Sequence, residues 1–204
     1  MPASRSLLRR ALLSALLALP LSASLPLPSF AGDLAPPATA DEAYGKRLFE
    51  SLRNAHSEVE GRAIENAIWE MWMAQAPTEE VARSIRDAMD ARESYDYTRA
   101  LALLDAAVTA APDYAEAWNQ RAFVRFLRED FEGSLTDIDH ALQLEPRHFG
   151  ALSGRALVLM RFGRMEAAQR ALREAVAIHP WLKERALIIP EPGEILPAPG
   201  GRDI

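Results

Sequence analysis

The chain has 204 residues, 49% of them hydrophobic and 25% charged, and its 29 acidic and 23 basic side chains leave a net charge of −6. That balance suits one packed domain with attachments, while the acidic excess repels phosphate backbones and anionic membrane surfaces, so no nucleic acid is expected as partner. Cysteine is absent, which removes disulfides, thiolate nucleophiles, cysteine-ligated zinc and iron–sulfur clusters.

Residues 1–31 read as a secretory signal peptide. Arg5, Arg9 and Arg10 come first, then the apolar run Ala11 to Leu19, then a small-residue exit ending Ser29-Phe30-Ala31, which is the basic, apolar, small order of such leaders. Pro20, Pro26 and Pro28 interrupt the run, so it falls short of the roughly 20 apolar residues that a membrane span needs. The expectation is cleavage after Ala31, no stable membrane insertion afterwards, and an exported, periplasmic protein. Losing three arginines and no acid with the leader would take its net charge from −6 to −9. Residues 32–40, rich in Pro and Ala, then read as a flexible linker.

Two amphipathic helices are expected over residues 41–76, the second with Ile64, Ala67, Ile68, Met71 and Trp72 at helical spacing. Trp69 and Trp72 on it are expected to pack against the first of the repeats that follow rather than to mark a partner surface. From there the sequence repeats. Pro112, Pro146 and Pro180 are 34 residues apart, and so are Ala88, Ala122 and Ala156, then Ala107, Ala141 and Ala175. Ala100, Ser134 and Ala168 give a third small slot, and Leu104, Ile138 and Leu172 a large apolar one. Each unit is predicted to be a helix pair: Val81 to Ser94 with Tyr97 to Ala110, Ala115 to Leu127 with Phe131 to Leu144, and Phe149 to Phe162 with Met165 to Ile178. Small residues belong where paired helices cross closely, and the prolines stop each second helix. No stretch alternates as a strand would. Residues 187–204, with repeated Pro and Gly, read as a disordered tail.

A 34-residue helix–turn–helix unit with Trp118 near its start, small residues at Ala122, Ser134 and Ala141, Tyr97 or Phe131 opening the second helix and a terminal proline resembles the tetratricopeptide repeat (TPR) family. The resemblance implies an all-α, right-handed α-solenoid of three helix pairs in a domain over residues 77–186, with repeats of about 81–114, 115–148 and 149–182. The N-terminal pair, which does not match the repeat slots, is expected to be a cap at the end of the stack, with folding over the concave groove left open. There are departures: Trp118 is replaced by Ser84 and Leu152, and the large apolar residue late in the first helix by Ala91 and Arg125.

By the family's geometry the first helices line a concave wall, here Ile85, Met89, Arg92, Asn119, Phe123, Phe126, Ser153, Leu157 and Met160. Arrays of this family that clamp an acidic C-terminal carboxylate use Lys and Asn on that wall. Ile85 and Met89 stand in the matching places, so an apolar peptide or helix of another protein fits better. The resemblance also implies a structural ion pair between Arg121 and Asp137, and leaves Arg155 without its counterpart acid, since Ala171 stands there.

Candidate chemistry is sparse. His56, His140, His148 and His179 share no i, i+3 or i+4 relation and no H-E-x-x-H pattern exists. No nucleophile elbow, phosphate-binding glycine loop or dinucleotide fingerprint occurs either. No catalytic or metal residue and no cofactor is expected, and the chain reads as a non-enzyme. His148 is assigned to packing at a repeat joint, with folding nearly intact after His148→Ala. Two functions stay open: a periplasmic scaffold or adaptor, with assembly or chaperone-like work included, that holds a segment of another envelope protein; and a structural subunit that self-associates through its N-terminal helices.

Overall fold

A computed structural model describes residues 42–194. The expected leader and its cleavage site, the linker before Asp41 and the last ten residues of the tail lie outside the described residues. Within them the chain forms eight α-helices in order: α1 (Glu42–Arg53), α2 (Glu58–Ala74), α3 (Glu79–Glu93), α4 (Tyr97–Ala110), α5 (Ala115–Leu127), α6 (Phe131–Leu144), α7 (Phe149–Arg161) and α8 (Met165–Ile178). A 3-10 turn over Lys183–Leu187 follows. No described helix is long and apolar enough to cross a membrane.

The periodic slots are what pair the helices. Ala88, Ala122 and Ala156 from the first helices, Ala100, Ala107, Ser134, Ala141, Ala168 and Ala175 from the second, and Leu104, Ile138 and Leu172 are all at most 2% exposed. Side chains this small let α3 and α4, α5 and α6, and α7 and α8 approach along their length. Ser134 keeps its hydroxyl satisfied by donating to the Ala122 carbonyl at 2.9 Å. Each second helix stops just before its proline, which cannot continue the helical hydrogen bonds.

The turns inside the repeats obey the same period. Tyr95, Glu129 and Gly163 occupy positive φ (61°, 63° and 69°), and Asp96, Asp130 and Arg164 donate back across the helix end to Ala91, Arg125 and Leu159 at 2.8–2.9 Å. This is the Schellman closure of a helix C-terminus. Asp96 and Asp130 then cap α4 and α6 through their carboxylates, whereas Arg164 provides no side-chain cap for α8. Only the third repeat has the glycine that the left-handed conformation favours.

The N-terminal pair covers the array, but not at its end. The core around Leu48, Leu52, Ile68 and Trp72 continues into Phe149, Leu152, Ala175 and Leu182 of the third repeat and its exit. Met73 and Ala76 at the other end of α2 pack against the first repeat. With 17 residues α2 is about 25 Å long, enough to run across the first helices of all three repeats. Its seat is shaped by two close approaches. A Cβ on Gly61 would stand 2.7 Å from the Trp181 ring, and one on Gly150 would stand 2.8 Å from Trp69.

The expectation for the tryptophans is therefore corrected. Trp72, 1% exposed, stacks on His148 (ring centroids 4.0 Å apart, interplanar angle 11°) and meets Phe149 at 5.1 Å, the N-cap and the first residue of α7. Trp69 meets the same two rings edge-on. Large flat side chains need a broad apolar partner, and α7 offers one where the first repeat offers alanines. The tail is corrected too. Residues 188–194 lie along α8: Ile188 is buried with Ala168 and Leu172, Gln169 holds Leu187 O and Ile189 N, and Arg173 pairs with Glu194 at 2.6 Å.

Candidate functional site

Crossing the inner wall at the width of its tryptophans, α2 leaves a half-open cavity of about 510 Å³ between itself and α3, α5 and α7. Its sides are mainly apolar: Trp69 and Met73 from α2, Met89 from α3, Phe123 and Phe126 from α5, and Leu157 from α7. The floor consists of small or short side chains, Ala122, Ser134, Ser153 and Gly154, with Ile138 behind them. Ser153 donates to the Gly150 carbonyl at 3.0 Å, so the floor presents little unmet polarity.

Of the nine residues placed on the concave wall by sequence, Met89, Arg92, Asn119, Phe123, Phe126, Ser153 and Leu157 line this cavity. Ile85 and Met160 do not. Ile85 is fully buried with Val81, Ala88 and Leu104 in the first repeat's own core, while Met89 and Arg92 of the same helix reach the cavity. Met160 packs on the cluster of Ala156, Leu159 and Leu172 at the far end. The residues that sequence alone missed include those from α2, the exit segment with Lys183 and Glu184, floor residues such as Ser134 and Gly154, and, last, the polar row Glu116 and Gln120. A polar pair at helical spacing on an otherwise buried face was the available signal for the last two.

That polar row runs from the cavity into the joint. Arg92 donates from Nη1 to Gln120 Oε1 at 2.7 Å and lies 4.9 Å over the Phe123 ring. Gln120 in turn donates to Glu116 Oε1 at 2.6 Å. Glu116, 1% exposed, is 2.9 Å from His148 Nε2 through its other oxygen. The tautomer follows from the partner of the second ring nitrogen: His148 Nδ1 accepts the Ala151 N–H at 3.1 Å and caps α7, so Nε2 carries the proton and donates to Glu116. The histidine is a joint residue, as read from sequence, but removing it cannot leave folding nearly intact, because a helix cap, a buried carboxylate and Trp72 all lean on it.

On the opposite side of the cavity Glu65 lies 3.2 Å from His179 Nε2, and the ring is out of line for a hydrogen bond to it. The His179 ring beside it holds the Glu65 carboxyl below the usual carboxylate range, against the upward push of burial, with Trp69 and Lys183 acting in the same direction as His179. Tyr114, next to the joint, donates its hydroxyl to the Trp72 carbonyl at 3.0 Å, and burial pushes its phenol up.

The Arg121–Asp137 pair forms a two-pronged contact at 2.8 and 2.9 Å, with Asp137 fully buried. Arg121 also reaches Asp105 on α4 at 2.9 Å, and Arg125 supplies Asp137 with a second guanidinium at 3.1 Å. In the sequence Arg125 stands out only as the replacement of an apolar residue. Arg155, whose counterpart acid is replaced by Ala171, pairs with Asp139 on α6. Among the described residues no group of three or more His, Asp or Glu side chains is placed to hold a metal ion.

No family model matches the chain. Among curated proteins it is 34% identical over 134 residues, 66% of this chain and 65% of the relative, to a TPR repeat-containing protein of Rhizobium etli. This chain is a tetratricopeptide-repeat protein. It is also 29% identical over 111 residues to tetratricopeptide repeat protein 36 of Xenopus tropicalis, covering 52% of this chain and 55% of that one. The chain thus spans somewhat under two thirds of these relatives' lengths. Among solved structures, the first tetratricopeptide domain of Spaghetti (RPAP3), bound to the HSP90 peptide SRMEEVD, superposes with a TM-score of 0.53 at 16% identity, over 55% of this chain and 89% of that one. At that identity the likeness concerns the fold alone.

Proposed function

We propose that the protein is an exported, periplasmic adaptor that holds a segment of another envelope protein in the cavity between α2 and the inner wall of its array. One observation carries the reading. The inner wall keeps an open, mainly apolar recess of about 510 Å³ beside α2, with Phe123 still 46% exposed at its side. A fold selected only for its own packing would close such a space, since voids lose dispersion contacts and apolar burial. A recess of this size with a few convergent polar groups falls within the range of ligand sites. The solved neighbour with a peptide on a tetratricopeptide array supports protein recognition as the general task of the scaffold, and the leader-like residues 1–31 support export.

Self-association through the N-terminal helices has less to recommend it. Trp72 is buried inside the chain's own core and Trp69 is half-buried against the third repeat. The test is site-specific photocrosslinking in the native compartment. A benzophenone amino acid in place of Phe123 is expected to trap a discrete partner, and one in place of Leu144, exposed at the end of α6, is not. Leu157→Glu should abolish the adduct at position 123 while leaving helical circular dichroism unchanged. Equal trapping at both positions, or no adduct at position 123, refutes the reading.

A further inference from the structure

The same cavity restricts the partner's chemistry, if that reading of it holds. Width comes first. An α-helix with its side chains is 10–12 Å across and rises 5.4 Å per turn, so a single turn would take up about 500 Å³ by itself. The cavity beside α2 has about 510 Å³ and is open on one side, so a helix could enter only by one face, while an extended segment can lower a single side chain into it.

The floor then picks out one side chain. Gly154 is in the interior of α7, where Ala is the better helix former, and a Cβ there would meet only Ile138 Cδ1, at an ordinary 3.6 Å. Packing does not demand glycine at this position, in contrast to Gly150, where a Cβ would collide with Trp69. The missing side chain widens the cavity that Phe123, Phe126 and Leu157 also line. That is the space for one bulky apolar group.

The rim supplies a charge. Arg121, Arg125 and Arg155 each bond a carboxylate, but Arg92 has no acid within ion-pairing distance among the described residues. Its guanidinium is nevertheless held, by Gln120 on one side and the Phe123 face on the other, and most of its five N–H donors stay available. The acids of the cavity lie elsewhere: Glu116 is engaged by His148 and Gln120, and Glu65 and Glu184 are on the α2 and exit side with Lys183. A fixed, unpaired guanidinium beside an apolar recess complements an acidic side chain on the same ligand.

We infer that the cavity takes an extended segment of a partner protein, one bulky apolar side chain of which seats over Gly154 while a neighbouring acidic side chain pairs with Arg92. The inference rests on the proposed function, and selection from a random peptide library separates the two. The library carries fixed Gly/Ser flanks, so that no free carboxyl terminus is offered, and is selected against the whole exported chain and against Arg92→Gln, Gly154→Ala and Gly154→Leu. Selected sequences should combine Leu, Phe or Met with a nearby Asp or Glu and should tolerate proline. An amidated synthetic peptide of the selected sequence should bind at least about 10-fold more weakly to Gly154→Leu, with Gly154→Ala intermediate and its helical content unchanged. Arg92→Gln should keep the apolar preference and lose the acidic one. Binders lost on filling Gly154 but without acidic preference, or proline-free amphipathic helices among them, overturn this inference and leave the cavity as the binding site. Binders indifferent to Gly154→Leu, or no enrichment at all, overturn both.

Discussion

Replacing His148 by Ala removes three supports at once. Its ring caps α7 by accepting the Ala151 N–H at 3.1 Å, and losing such a cap costs about 1 kcal/mol. Its Nε2–H serves the buried Glu116 carboxylate at 2.9 Å, and a hydrogen bond to a charged group contributes about 1.5–3 kcal/mol. Its face lies 4.0 Å from that of Trp72, which adds about 0.5–1.5 kcal/mol. These contributions share one side chain and are not additive, so the expected loss is about 3 kcal/mol. For a domain of this size that lowers the melting temperature by about 6–12 °C. Urea unfolding followed by circular dichroism and tryptophan fluorescence measures it. His148→Asn should recover roughly 1 kcal/mol, since Asn is a good N-cap. The double variant with Glu116→Gln should cost less than the two singles together, because the carboxylate that the histidine satisfies is gone. A loss below about 1 kcal/mol for His148→Ala would refute this account of the joint, and additivity in the double variant would refute the hydrogen bond.

Asp137→Asn leaves the guanidinium groups of Arg121 and Arg125 without their buried anion and should cost about 3 kcal/mol in the same unfolding assay. Arg164→Asp gives α8 the side-chain cap that α4 and α6 already have, and should raise stability by about 1 kcal/mol. Tyr95→Gly relieves a left-handed residue at an 80% exposed position and should add about 1 kcal/mol, read as a rise in melting temperature. Glu65, whose carboxyl is held below its ordinary range, contributes stability that is present above its unfolded value of about 4.3 and is lost as pH falls through the lower folded value. The urea midpoint of the wild type should therefore exceed that of Glu65→Gln by a constant amount at neutral pH, and the difference should close below about pH 4.

The helix pairs, their boundaries and the small-residue contacts between them could be read from the sequence because each is a local or strictly periodic matter. Ala122 needs only its own helix and its partner Ser134, twelve residues away, to be placed, and the period repeats the statement for Ala88 and Ala156. The Arg121–Asp137 pair was legible for the same reason, and the inner-wall face of α5 followed from its register. Where α1 and α2 would lie was not legible. Their amphipathic pattern says that one face is buried and says nothing about the surface that buries it. That choice was made by shape: the indoles of Trp69 and Trp72 find flat rings at His148 and Phe149 and room at Gly150, far away in sequence. With that crossing came everything that depends on it, namely the cavity, the buried Glu116–His148 contact and the residues of the exit segment at its edge. Ile85 and Met160 went astray because the family register assigns a face to each first helix as though all three were in the middle of a stack, whereas the first and last repeats turn those positions into their own cores. Periodicity determines which residues are neighbours within a unit, and only the packing of non-periodic parts decides what the inner wall is left to bind.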